Sequence, residues 1–132
     1  MKTLYSPTWK SSSQTRKQRK YRHNAPLHAR RKLLAAHLSR ELRKEYGFRS
    51  IPLRKGDDVA VMTGEFRKMK GAVMRVDMKR LKIYVEGVKR RKISGQEVEV
   101  PFEPSNLKIT KLNLDDKNRK KIVERKRKKV NP

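Results

Sequence analysis

The chain's 132 residues fit one small domain with extensions, and a hydrophobic share of 34% is too low to fill an apolar core from end to end. The 38 Lys and Arg residues outweigh 13 Asp and Glu by 25 charges, which demands a partner rich in negative charge. With no cysteine, disulfides, Cys-ligated zinc and thiol catalysis are excluded. Nucleic acid leads among partners, because each neutralised phosphate releases condensed counterions. An anionic membrane would need a basic amphipathic helix with a Trp/Phe/Leu face, and none is convincing here. No apolar run approaches the roughly 18–20 residues of a membrane span. Nor does the N-terminus show an apolar signal core, so a soluble cytosolic protein is expected.

The charge is unevenly spread. Residues 1–53 hold 14 basic and 2 acidic residues, and the first acid is Glu41. Residues 1–24, which include SSSQTRKQRKYRHN, are therefore expected to form an irregular basic arm. Such an arm either stays disordered and solubilising or lies in an RNA groove, with Trp9, Tyr21 and His23 free to stack on bases. Residues 25–50 are expected to form short helices beside the main domain. Asn24-Ala25-Pro26 resembles a helix start, and 27–37, rich in Leu and Ala, predicts a helix with Leu27, Leu34 and Leu38 on one face. Ser39 is placed to cap a second helix, with Glu41 and Glu45 in helical reach of basic neighbours and Gly47 at its stop.

Residues 51–114 read as a small barrel. Ile51-Pro52-Leu53 leads extended into it. Five strands are predicted: Val59 and Val61 point one way in the first, Ala72, Met74, Val76 and Met78 alternate in the second, Leu81, Ile83 and Val85 alternate in the third with Lys82, Tyr84 and Glu86 outward, Val98, Val100 and Phe102 make the fourth, and Leu107 and Ile109 the fifth. On this reading Met62, Met74 and Met78 fill the core. Lys79-Arg80 forms a hairpin turn, and residues 87–96 form a basic loop. Pro101 and Pro104 limit the fourth strand. Asp57-Asp58 reads as turn chemistry rather than a metal site. Closure of so short a set of strands would hide its edges. Residues 115–132 form a basic C-terminal helix and tail, started by Asp115 and Asp116. Ile122 and Val123 are its only apolar pair, so it is expected to fray unless RNA or another protein holds it.

The stretch RKGDDVAVMTGEFRKMKGAVMRVDMKR, residues 54–80, resembles a KOW motif, with Gly64 at the eleventh position. Glycine there supplies a positive φ cheaply. The flanks KQRKYRHNAPLHARRKLLAAHLSRELRKEYGFRSIPLRKGD and YVEGVKRRKISGQEVEVPFEPSNLKITKLNLDDKNRKKIVERK resemble one ribosomal family almost continuously. That family is the archaeal and eukaryotic form of large-subunit ribosomal protein twenty-four, called twenty-six in eukaryotes. The resemblance spans roughly residues 16–126. It implies a mainly β fold: a small SH3-like barrel with a helical or extended basic N-terminal extension and a C-terminal helix. It also implies a structural constituent of the large ribosomal subunit that binds the 5′ region of large-subunit rRNA early in assembly and sits near the peptide exit tunnel. Where family members often carry Lys-Gly after the eleventh-position Gly, this chain has Arg67-Lys68.

For an RNA-bound barrel, the candidate contacts are the loop cations Arg54, Lys55, Arg67, Lys68, Lys70, Lys79, Arg80, Lys89, Arg90, Arg91 and Lys92. In the N-terminal region they are Arg16, Lys17, Arg19, Lys20, Arg22, His23, Arg30 and Arg31, which lack acidic neighbours. Gly64 and Gly71 are structural candidates. Such contacts mostly position a protein on the phosphate backbone. Expected partners are large-subunit rRNA and neighbouring ribosomal proteins, on the cytoplasmic ribosome, with no membrane span, small-molecule substrate, metal or cofactor. No enzyme is expected: His23, His28 and His37 all precede the first acid, and a general acid–base pair needs a partner in reach. No GxxxxGK or zinc-ligand spacing occurs. The competing functions are a KOW-containing transcription or elongation factor docking on RNA polymerase, and a histone-like DNA binder.

Overall fold

The computed structural model describes residues 5–9 and 11–130, with side chains to residue 127. Its elements in order are α1 (Thr15–Asn24), α2 (Leu27–Leu33), β1 (Ala35–Leu38), α3 (Arg40–Tyr46), β2 (Ser50–Pro52), β3 (Asp58–Val61), β4 (Lys70–Asp77), β5 (Lys82–Arg91), β6 (Glu97–Phe102), β7 (Leu107–Lys111) and α4 (Lys117–Val130). The strands form one sheet in the order β2-β1-β7-β3-β4-β5-β6. Every strand except β6's outer half feeds one apolar cluster, which includes Ala36, Leu38, Ile51, Val59, Val73, Ile83, Phe102 and Ile109. The fold is mainly β and SH3-like, but the sheet does not close: β2 and β6 are its ends.

Ser39 caps α3, its hydroxyl accepting from the Leu42 amide at 3.3 Å, and Gly47 stops it in the left-handed conformation at φ 77°. The expected helix over 27–37 ends at Leu33 instead. Ala35–Leu38 becomes β1, antiparallel to β2 (Ala36 opposite Ile51) and parallel to β7 (Leu38 opposite Ile109). Leu-Ala helix preference amounts to a few tenths of a kcal/mol per residue, and pairing on both edges with burial of Ala36 and Leu38 outweighs it.

In β4 the register shifts between Val73 and Arg75, leaving Met74 as an extra residue in a bulge. The bulge turns Val73 into the core, while Met74 and Met78 are exposed and Met62 is half-buried. Val76 packs against the core as expected, but the inward alternation fails at Met74 and Met78, and with it the core role of the methionines. A second shift, between Tyr84 and Lys89, lets β5 run on to Arg91 and bury Val88. The predicted loop at 87–96 shrinks to a turn. Tyr84, expected outward, is buried, with the Arg75 guanidinium 4.2 Å from its ring centre. Pro101 sits inside β6, which is permitted because β6 is an edge.

Gly71 lies opposite Val59, and a Cβ there would stand 2.5 Å from the Glu86 carbonyl oxygen. Gly64 has φ 88°, as its position in the sequence suggests. Lys68 takes φ 74°, a conformation that costs a non-glycine residue about 1–2 kcal/mol. Lys68 thus holds the turn after Gly64 in a conformation that a glycine would adopt without that strain.

The arm and the tail both differ from expectation. Thr15–Asn24 is helical rather than irregular; residues 1–4 and 10 of the arm, and 131–132 of the tail, lie outside the described residues. The C-terminal helix does not lie free. Asp57, fully buried, accepts two bonds of 2.7 Å from Arg119, itself 3% exposed, and further bonds from the Arg54 and Asn113 amides at 2.9 and 3.0 Å. The Arg54 bond is the turn chemistry expected of Asp57. The Arg119 pair adds a bidentate staple with the carboxylate's lone pairs satisfied. Val123 is buried beside it, and Lys126 donates to the Ser50 carbonyl at 2.7 Å, 5.2 Å from the Phe48 ring centre. Burial holds the Lys126 ammonium below its ordinary pKa.

Candidate nucleic-acid interface

Helix α1 presents Arg16, Lys17, Arg19, Lys20, Arg22 and His23 to solvent, and no residue of α1 is buried. It has no acidic residue in its first turn and no side-chain cap. Like charges three and four residues apart repel on a helix surface. An anion laid along α1 would relieve that repulsion, so the helix is electrostatically incomplete alone.

Where α1 meets the barrel, Arg22 and His23 face Lys79 and Arg80 of the β4–β5 turn across a groove of about 480 Å³. Arg30 builds this junction. Its Nε donates to the Ala25 carbonyl at 2.8 Å, one terminal nitrogen to the Lys79 carbonyl at 2.7 Å, and the other to the His23 carbonyl. Arg30 thus ties α1 and α2 to the turn, and its guanidinium is engaged with carbonyls. Asp77 shapes the turn itself, its Oδ1 accepting from the Lys79 and Arg80 amides at 3.0 Å each. The Arg80 amide, the Lys79 amide and nearby cations hold the Asp77 carboxyl below its ordinary pKa. Lys82 also lines the groove and pairs with Glu103 at 3.0 Å.

The remaining candidates fall into three places. Arg31, Arg54 and Lys55 line a second groove with Met74 and Met78, and Arg54 pairs with Asp116. Arg67, Lys68 and Lys70 gather with Lys108 at the β3–β4 loop. Lys89, Arg90 and Arg91 lie on β5 rather than in a loop, with Lys92 at the turn beyond. Lys89 pairs with Glu97 at 3.0 Å, and Arg90 pairs with Glu65 with its guanidinium 5.8 Å from the Phe66 ring centre. Exposed pairs of this kind contribute about 0–1 kcal/mol, so an arriving phosphate can displace the carboxylate.

The sequence reading missed Lys82 and Lys108, although outward positions on β5 and β7 follow from strand alternation. It also missed Ile93, fully exposed at the β5–β6 turn. Trp9 and Tyr21, expected free, lie against each other, and Tyr21 also lies against Tyr5. Among the described residues no helix is long and apolar enough to cross a membrane, and no three His, Cys, Asp or Glu side chains gather as metal ligands.

A small SH3-like barrel, edged by cationic grooves and carrying a basic helix at each end, defines a basic β-scaffold protein of the kind that presents charge from a rigid frame. Residues 12–126 match the family of ribosomal proteins called L26 in eukaryotes, whose archaeal members carry the number twenty-four. The chain is 54% identical over 114 residues to the "Large ribosomal subunit protein uL24" of Korarchaeum cryptofilum (strain OPF8), covering 86% of this chain and 87% of that protein. The chain belongs to this family of large-subunit ribosomal proteins.

Proposed function

We propose that the protein is a structural, non-catalytic constituent of the large ribosomal subunit that binds large-subunit rRNA through its cationic grooves and α1. The observation that carries this reading is that the family match, residues 12–126, contains every cation of the candidate interface. The finer reading places the contact on the 5′ region of that RNA, early in assembly, with the protein near the peptide exit tunnel and beside other ribosomal proteins in the cytoplasm. The near-continuous resemblance of the flanks supports it. In this reading the barrel fixes the spacing of the turns, and the turns and α1 supply phosphate contacts. A-form RNA is read by shape and backbone, which suits such an array.

The test is binding of large-subunit rRNA and of duplex DNA at matched salt, with sedimentation of the protein in native extracts. Co-sedimentation with the large subunit and a preference for the ribosomal RNA are expected. A triple variant, Arg22→Gln, Lys79→Gln and Arg80→Gln, should flatten the log–log salt slope by about 2–3, roughly one per lost phosphate contact. Occurrence only in ribosome-free fractions, or equal binding to duplex DNA, would sink the reading.

A further inference from the structure

We infer that Tyr5, Trp9 and Tyr21 form a stacking seat for one unpaired nucleobase of the bound RNA; this rests on the RNA-binding reading above. The chain has one Trp, four Tyr and three Phe. Phe48, Phe102, Tyr46 and Phe66 belong to the apolar cluster of the barrel or pack against it, and Tyr84 is buried on β5. The other three aromatic residues stand apart from that cluster, Tyr21 on α1 and Tyr5 and Trp9 on the preceding segment that lies against it. Trp9 is 38% exposed and Tyr5 and Tyr21 are half-buried.

The arrangement is built, not incidental. The Tyr5 and Tyr21 hydroxyls are hydrogen-bonded at 3.0 Å, with their ring centres 5.2 Å apart and the planes tilted by 38°. Trp9 lies 6.1 Å from Tyr21 at 36°, and its amide donates to the Ser6 carbonyl at 3.4 Å. Gln18 of α1 donates to the Ser12 carbonyl at 2.6 Å, which ties the preceding segment to the helix. The tilted rings border a cavity of about 270 Å³ that Lys17 and Lys20 also line. That falls just below the roughly 300–1,000 Å³ of ordinary ligand pockets, a size for one flat ring system rather than a larger ligand.

The chemistry favours a nucleobase. Aromatic faces accept any base, and cations beside them can take the phosphate of the same nucleotide. No acidic residue precedes Glu41, so nothing in this segment repels the backbone. A duplex keeps its bases stacked inside, whereas bulges, loops and ends present them. The ligand is therefore a single-stranded or bulged nucleotide. Aliphatic residues would staple the segment to α1 equally well; a flat, partly exposed ring at Trp9 adds a face that stapling does not use.

Trp9 is the sole tryptophan, so tryptophan emission from the full chain, excited at the long-wavelength edge where tyrosine does not absorb, reports this site alone. Single-stranded oligouridine should quench it, and an abasic strand of equal length should bind without quenching. Trp9→Leu should weaken oligouridine binding about 5- to 100-fold and leave the salt slope unchanged. Tyr21→Phe keeps the ring, loses only the hydroxyl bond, and should bind as the wild type does. Suppose instead that oligouridine leaves the wild-type tryptophan emission unchanged, or that Trp9→Leu binds it as tightly as the wild type, while the wild type still binds ribosomal RNA with steep salt dependence. The base seat alone is then overturned. A wild type that binds no ribosomal RNA at any salt overturns both readings.

Discussion

Helices α1 and α4 flank the same barrel, and both are dominated by Lys and Arg, yet only one is part of the folded body. Helix α4 inserts Arg119 and Val123 beneath the surface, against a carboxylate already fixed by two backbone amides. Helix α1 buries nothing and is held at its C-terminal end by carbonyls gathered on Arg30. The difference teaches that order in a basic helix here does not follow apolar content. A single acid at the right depth converts one cation of α4 into a core residue, and among the described residues α1 has no ion pair of its own.

The comparison breaks most sharply at Asp57. Asp57→Ala would leave the Arg119 guanidinium buried without its partner and should cost about 3–5 kcal/mol, seen as a lower denaturant midpoint. Hydrogen exchange should show α4 losing protection while α1 is unchanged; a protected α4 in this variant would refute the staple. Val123→Ala removes the apolar half of the same attachment and should cost about 1–2 kcal/mol in the same assay. Arg30→Met addresses the other helix. It should change global stability by about 1 kcal/mol or less and selectively speed exchange in residues 15–24, since α1 opens without disturbing the core.

The smallest effect is acid dependence at the start of α4. Asp116 accepts from the Asn118 amide at 2.8 Å and pairs with Arg54, and these lower its pKa from 3.8, the amide contributing most. A depressed folded-state pKa means the stabilisation is fully present above the unfolded value and is lost as pH falls through the folded one. Protection of α4 should therefore begin to weaken as pH falls below 3.8, while α1, which has no carboxylate, shows no matching step. Asp116→Asn should abolish that step in α4.

Local signals were legible and distant ones were not. Ser39 and Gly47 mark the ends of α3 because caps act within a few residues. Strands β3, β6 and β7 show in the alternation of Val, Leu and Ile. The SH3-like class came through resemblance in the flanks more than through pattern. Alternation misled in β4 because one inserted residue at Met74 exchanges the two faces, and nothing in the local sequence announces a bulge. Ala35–Leu38 misled because its strand character comes from β2 and β7. Arg119 looked like any other cation of a Lys-rich run, and Asp57 like any turn residue; only their meeting in space distinguishes them. Of the candidate interface, the identity of the cations was plain, but not their grouping. Arg30 in particular reads as one more charge until its carbonyl partners appear.

The parallel pairing of β1 with β7 also sets an order of events during synthesis. Strands β4, β5 and β6 form an antiparallel meander whose partners are neighbours in the chain, so it can zip locally. Strand β1 pairs with β2 early and β3 with β4, but the other edge of β1 waits for residues 108 and 109, and the other edge of β3 waits for the same strand. Long-range pairings form late because loop closure comes before their contacts. For most of its time as a nascent chain the N-terminal third is thus half a sheet with a cationic arm, and β7 is the keystone. Pulse-labelled exchange during refolding should find β4–β6 amides protected before those of β1. An early-protected β1 would show that the arm organises the barrel rather than awaiting it.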